Sequence, residues 1–239
     1  MKILFIGICF ALSLGSYAQT VTTKTFAVAR GQQVNFKFDY PKVKVSTWDK
    51  DEVSVTSHVN INDNENNDAF ELLSDTKEGV LTISSHIKDM DKLPRHYTIM
   101  RNGKKTIYRS KDEYLEARKD RSGITMSTEG TDIDVMVEVK VPVSVVSNLK
   151  AVYGIVELTN FNAPITVDAT YGGIDATIAA VNTGKLQATT HYGQLYTNLD
   201  LKLTEHSERN FYNSITAEPG KGPSYKFTST YGKIYLRKP

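Results

Sequence analysis

A four-residue phrase (tyrosine, glycine, any residue, aliphatic) returns through the second half of this 239-residue chain at near-constant spacing. It stands at Tyr153-Gly154-Ile155-Val156, Tyr171-Gly172-Gly173-Ile174, Tyr192-Gly193-Gln194-Leu195 and Tyr231-Gly232-Lys233-Ile234. A degenerate copy, Tyr212-Asn213-Ser214-Ile215, precedes the last, so the tyrosines step by 18, 21, 20 and 19 residues. Self-similarity with a period of about 20 residues marks a stacked-repeat fold, in which no single repeat can bury its apolar face alone.

Within each copy, apolar or small residues stand two, four and six positions before the tyrosine and three and five after it. Ile165, Val167 and Ala169 precede Tyr171, and Ile174 and Ala176 follow it. A strand has a side-chain period of two, so the change of parity at the glycine marks a bulge or corner between two strands. Glycine suits that position through its tolerance of positive φ and of close backbone approach. The expectation is an all-β chain, a β-solenoid or β-helix-like stack of roughly 20-residue rungs about 4.8 Å apart. By the same parity the tyrosines are expected on the inward or corner column, stacking from rung to rung.

Lys2, an apolar stretch from Ile3 to Leu14 and Ser16-Tyr17-Ala18 have the order of a secretory signal peptide cleaved after Ala18, which predicts an exported protein of the periplasm, outer-membrane surface or medium. The apolar stretch is short for a membrane span, and no second one follows, so the mature chain is expected to carry no transmembrane segment. The single cysteine, Cys9, lies inside this leader, and Ile8 before it fits a lipoprotein signal badly. A net charge of +2 gives no reason to expect nucleic acid as a partner.

After the leader (1–18), residues 19–88 read as the N-terminal β region of the same domain that holds the repeats (127–239). Val34, Phe36 and Phe38 alternate into Tyr40-Pro41-Lys42-Val43-Lys44-Val45, the repeat phrase with proline in place of glycine. Residues 89–126 differ in composition and read as a basic insertion. Asn102-Gly103 signals a hairpin, and Ser110-Lys111-Asp112-Glu113 has capping-box spacing for a short helix through about Lys119. Such an insertion is either a recognition excursion or a solvated cover over a sheet edge. Val135, Val137, Val139 and Val141 alternate with polar residues in the clearest strand of the chain.

The Val141-Pro142 end of that strand, the successive Tyr-Gly-aliphatic phrases, the signal peptide and the Phe38-Asp39-Tyr40 to Trp48-Asp49 stretch resemble the bacterial putative-adhesin families found in cell envelopes. The resemblance covers most of the mature chain outside the insertion, and it implies a β-solenoid without catalytic residues. Pro41 and the degenerate phrase at Tyr212 depart from the family's pattern.

Binding in such a stack belongs to its outward columns. Four positions after each tyrosine stand Lys44, Glu157, Asp175, Tyr196, Thr216 and Tyr235. Glu157 and Asp175 on neighbouring rungs would lie about 5 Å apart, close enough to bind a cation or to act as acid and nucleophile of a retaining glycosidase. The expected outer binding face comprises Glu157, Asp175, Tyr196, Tyr235, Thr170, Thr189 and Thr228, with Thr230 beside them. The repeat corners are Tyr40, Tyr153, Gly154, Tyr171, Gly172, Tyr192, Gly193, Tyr212, Tyr231 and Gly232. Asn60, Asn62, Asp63, Asn64, Glu65 and Asp68 lack EF-hand spacing, and His58, His86, His96, His191 and His206 show no HExxH grouping, so neither metal nor cofactor is expected. The expected function is a non-enzymatic envelope adhesin or binding module whose partner is a glycan or another envelope protein. The alternatives are a polysaccharide-active β-helix enzyme using Glu157 and Asp175, and a periplasmic accessory protein.

Overall fold

The structure is a computed structural model that describes residues 20–239; the leader and Cys9 lie outside the described residues. Alternation in the sequence becomes two facing sheets. Five strand pairs cross from one sheet to the other through a corner: Gln33–Phe38 with Lys42–Trp48, Val146–Ala151 with Val156–Leu158, Ile165–Ala169 with Ile174–Thr177, Tyr225–Ser229 with Ile234–Arg237, and Leu186–Thr190 with Leu195–Thr197. Neighbouring pairs run parallel and in register in both sheets. The inward positions inferred from parity are buried: Phe36, Leu149, Val167, Phe227 and Ala188 form one continuous column, in which the smallest side chain follows the largest. Burial of such columns drives folding at roughly 25 cal/mol per Å² of apolar surface.

The pairs do not stack in chain order. The last pair in sequence, Tyr225–Ser229 with Ile234–Arg237, sits between the Tyr171 pair and the Tyr192 pair. The segment expected to form a rung at Tyr212 does not form one. Tyr212–Ala217 pairs antiparallel with Leu186–Thr190, and Leu203–Arg209 pairs antiparallel outside it, making a two-strand cap over one end of one sheet. An antiparallel strand shows the same period of two as a parallel one, so the alternation around Tyr212 suits either direction. Thr216, expected on the outward column with Glu157, is instead buried in this cap. The outermost strand, Leu203–Arg209, carries Lys202 before it and Glu205, Glu208 and Arg209 along it, charges that discourage edge-to-edge pairing.

At the other end, Val80–Ile87 runs parallel to Gln33–Phe38 with Phe70–Lys77 antiparallel beyond it. In the facing sheet Ile133–Pro142 lies parallel to Lys42–Trp48, and Glu52–Ile61 and Thr20–Ala27 complete the edge antiparallel. The molecule is thus mostly β, with mixed pairing at both ends of a parallel middle.

The insertion forms a third sheet of His96–Arg101, Lys104–Tyr108 and Ile124–Gly130, with the helix Lys111–Lys119 packed on it. Asn102 and Gly103 both take positive φ (51° and 77°), as a tight hairpin turn demands. The helix begins after Ser110, but the Ser110 side chain makes no capping bond. The other helix end is closed by Arg101, which donates to the carbonyl oxygens of Ala117 and Asp120, each at 2.7 Å. The three-stranded sheet extends to Gly130, beyond the composition change at Met126.

Candidate functional site: a stacked tyrosine edge

The corners owe their glycines to backbone stacked on backbone. A Cβ on Gly154 would lie 1.6 Å from the carbonyl oxygen of Pro41, one on Gly172 1.9 Å from that of Gly154, one on Gly232 2.1 Å from that of Gly172, and one on Gly193 1.9 Å from that of Gly232. Each Cβ would point at the preceding corner, so Pro41, first in the column, has no corner before it to meet. None of these four glycines uses positive φ; close approach alone excludes a side chain. Two buried hydroxyls stitch the column. Ser229 Oγ donates to the Gly172 oxygen (3.1 Å) and accepts from the Gly232 N–H (2.9 Å), and Thr190 Oγ1 repeats the pattern with the Gly232 oxygen (3.0 Å) and the Gly193 N–H (3.1 Å).

With no room inside the corner, the tyrosine side chains are expelled. This corrects the inward placement inferred from strand parity: the strand ends two residues before each tyrosine, and the turn that follows swings the ring outside. Tyr40, Tyr153, Tyr171, Tyr231 and Tyr192 are between 37% and 59% exposed. Their ring centroids follow one another at 5.4, 5.2, 5.1 and 5.1 Å, with planes within 18° of parallel. Backbone bonds fix this pitch, among them Tyr171 N–H to Val152 O (2.7 Å) and Tyr192 N–H to Thr230 O (2.7 Å). The column therefore presents ring edges and a row of hydroxyls to solvent, while ring faces are turned against one another. Phe211 closes one end, 5.7 Å from Tyr192 and tilted by 36°. Tyr212, also expected as a corner, is off this column and meets His191 edge-on at 5.4 Å.

The outward column of the facing sheet runs Lys44, Glu157, Asp175, Tyr235, Tyr196. Glu157 and Asp175 are register neighbours, as the spacing predicts. Asp175, however, is held by Arg237 through two bonds, Nε to Oδ1 at 2.7 Å and Nη2 to Oδ2 at 3.0 Å, and this pairing raises the Arg237 pKa further. The Arg237 guanidinium also sits 4.8 Å from the centre of the Tyr235 ring, which stacks on Tyr196 at 5.1 Å. The threonines do not make one face with these residues. Thr189 and Thr228 are neighbours on the other sheet, and Thr189 shares a hydrogen bond with Ser214 (2.8 Å). Thr170 and Thr230 lie in the corners beside the tyrosines.

The Asn-rich loop is a structural staple. Asn62, Asp63 and Asn64 take left-handed φ of 52°, 58° and 69°, a conformation these side chains tolerate. Buried Asn62 donates to Asn66 Oδ1 (2.7 Å) and Pro94 O (3.0 Å) and accepts from the Asp132 N–H (2.9 Å), tying both ends of the insertion to the body. Among the described residues no group of three or more His, Cys, Asp or Glu side chains could hold a metal ion, and no helix is long and apolar enough to cross a membrane.

No family model and no curated protein matches the chain. Among solved structures it is similar, at 9% identity and a TM-score of 0.44, to a putative cell adhesion protein from Clostridium sporogenes, over 92% of this chain and 100% of that one. Fainter likenesses are to putative adhesins from Parabacteroides distasonis (10% identity, TM-score 0.22, 92% and 98% covered) and Parabacteroides merdae (9%, 0.23, 90% and 95%). Likeness at this level assigns no function.

Proposed function

We propose that the chain is a non-enzymatic, exported binding module of the cell envelope, a short β-solenoid capped by antiparallel strands, whose contact surface is the tyrosine edge. The observation that carries this reading is the column of five half-exposed, stacked tyrosines. Half-exposed tyrosines spend apolar area on water without a return in the core, whereas at an interface the same rings supply contact area at low entropic cost. The backbone pitch preorganises them, which lowers the ordering cost of binding. The leader sequence supports export, and the partner is a glycan or another envelope protein.

The enzymatic alternative is weakened by the Arg237 clamp. A glycosidase needs one of its carboxyl groups protonated as the acid and the other free to attack. The bidentate guanidinium occupies both carboxylate oxygens of Asp175, leaving neither free to attack. Binding of the protein to immobilised envelope glycans and envelope proteins, compared with Tyr153→Ser/Tyr171→Ser, tests the module reading. Loss of capture in the variant with unchanged far-UV circular dichroism supports it; undiminished capture refutes it.

A further inference from the structure

Phe211 covers the end of the tyrosine column at Tyr192, yet it belongs to neither the core nor a turn position that favours it. It is 73% exposed and has φ of 61°, in the left-handed region. With Asn210 it forms the two-residue link between paired Arg209 and Tyr212. Glycine or asparagine is the usual occupant of a left-handed turn position, because a Cβ is costly there. A large apolar ring held in solvent by a costly backbone conformation points to a job outside folding.

That job follows from what lies beside it. The hairpin and the end of the tyrosine column enclose a groove of about 440 Å³, within the usual range of about 300–1,000 Å³ for small-ligand sites. Its walls include the Tyr192 and Tyr231 rings, Phe211, Arg209 and Lys233. Neither Arg209 nor Lys233 forms an ion pair among the described residues; the groove's one carboxylate, Glu208, stands 4.0 Å from His206 Nε2. The groove therefore keeps a net positive charge. Asn213 also lines it, and its Oδ1 is buried without a hydrogen-bond donor.

We propose that this groove is a binding subsite for an acidic saccharide unit, with Phe211 as stacking platform and Arg209 and Lys233 as carboxylate partners. This assignment rests on the binding-module reading and gives it a ligand class. A sugar ring lies against an aromatic face, not an edge. In the tyrosine column the interior faces are taken by neighbouring rings, and Trp48 carries Lys50 and Lys140 ammonium groups 4.8 and 5.8 Å from its centre. Phe211, 73% exposed, is the most exposed ring of the groove and shares its walls with Arg209 and with Lys233, which also reaches the Tyr196 ring at 5.9 Å. An acidic peptide would use the cations but gain nothing specific from the platform, and a neutral sugar would leave both cations unused.

Titration calorimetry with oligogalacturonate, its methyl ester, sialyllactose, maltotetraose and tetraglutamate tests this on the protein and on Phe211→Gly and Arg209→Gln/Lys233→Gln. The expected result is heat from an acidic saccharide, at least tenfold weaker binding of the ester and maltotetraose, and loss of binding in both variants. Phe211→Gly removes the ring from Tyr192 but relieves the left-handed turn, so it is expected to melt close to the parent. The subsite is overturned if no acidic saccharide binds, if tetraglutamate binds equally well, or if Phe211→Gly retains affinity. Envelope capture that depends on Tyr153 and Tyr171 but not on Phe211 would leave the module reading standing and remove the subsite alone.

Discussion

Replacing Gly172 by alanine tests the corner geometry directly. The added methyl would lie 1.9 Å from the Gly154 oxygen and 2.6 Å from its carbon, and both are backbone atoms, so no rotamer change relieves the contact. An ordinary contact needs about 3.4 Å, so the two corners must separate by about 1.5 Å. That displacement breaks the bonds spanning the same gap, Tyr171 N–H to Val152 O (2.7 Å) and Val156 N–H to Gly173 O (3.0 Å). Each is worth about 1 kcal/mol, and residual overpacking adds about 1–3 kcal/mol. The expected loss is therefore about 3–5 kcal/mol. For a chain of this size it lowers the melting temperature by roughly 6–20 °C, at about 2–4 °C per kcal/mol. Urea and thermal unfolding followed by circular dichroism measure it. Gly130→Ala reports the separate cost of an unfavourable backbone angle, because a Cβ there meets nothing within 4 Å while its φ of 157° is one that side chains rarely adopt. A loss below about 1 kcal/mol for Gly172→Ala would refute the stacked-backbone account.

Removing one ring should scale with its neighbours. Tyr171→Ala loses two stacked partners and is expected to cost about 1–3 kcal/mol, against about 0.5–1.5 kcal/mol for Tyr40→Ala, which loses one, as read from urea midpoints. Ser229→Ala strands a buried carbonyl and N–H and should cost about 2 kcal/mol, whereas Asp175→Asn breaks an ion pair with a half-exposed Arg237 and should cost under 1 kcal/mol. Tyr225, 3% exposed and donating to Phe161 O at 2.9 Å, has its phenol pushed up to about 12 by burial. The unfolded chain releases that proton near pH 10, so this contribution is intact below pH 10 and is lost as pH rises towards 12, with a slope of at most about 1.4 kcal/mol per unit. Tyr225→Phe should be less stable than the parent at pH 8 by about 1 kcal/mol, and the gap should narrow above pH 10.

What the sequence carried, and what it did not, divides along one physical line. Period-two alternation is a local property, and it placed Ile165, Val167, Ile174 and Ala176 in the core and Glu157 beside Asp175. Strand order is not local. Every corner-linked strand pair offers much the same inward column, so nothing in the neighbourhood of Tyr231 announces that its strands lie between those of Tyr171 and Tyr192. The same degeneracy hid the antiparallel direction at Tyr212, since its alternation is the one a parallel rung would show. Arg237 was missed as the partner of Asp175 because it stands six residues after its own tyrosine, diagonal to a column traced at four.

The tyrosines mark where counting parity stops working. Parity holds only while the chain is a strand, and here each strand ends two residues before the ring. The local clue was the glycine itself: a corner that admits no Cβ on its inner side must send the adjacent large side chain outward. Glycine next to tyrosine is therefore one device. The glycine lets successive backbones approach to hydrogen-bonding distance, and that approach sets the pitch at which the rings stack. On the proposed reading such a strip binds without ordering a loop or freezing a side chain, so disturbing Gly172 should weaken capture through the pitch of the rings. Low-temperature capture measurements on Gly172→Ala, made where the variant is still folded, should show this; unchanged capture there would separate the tyrosine strip from the corner that builds it.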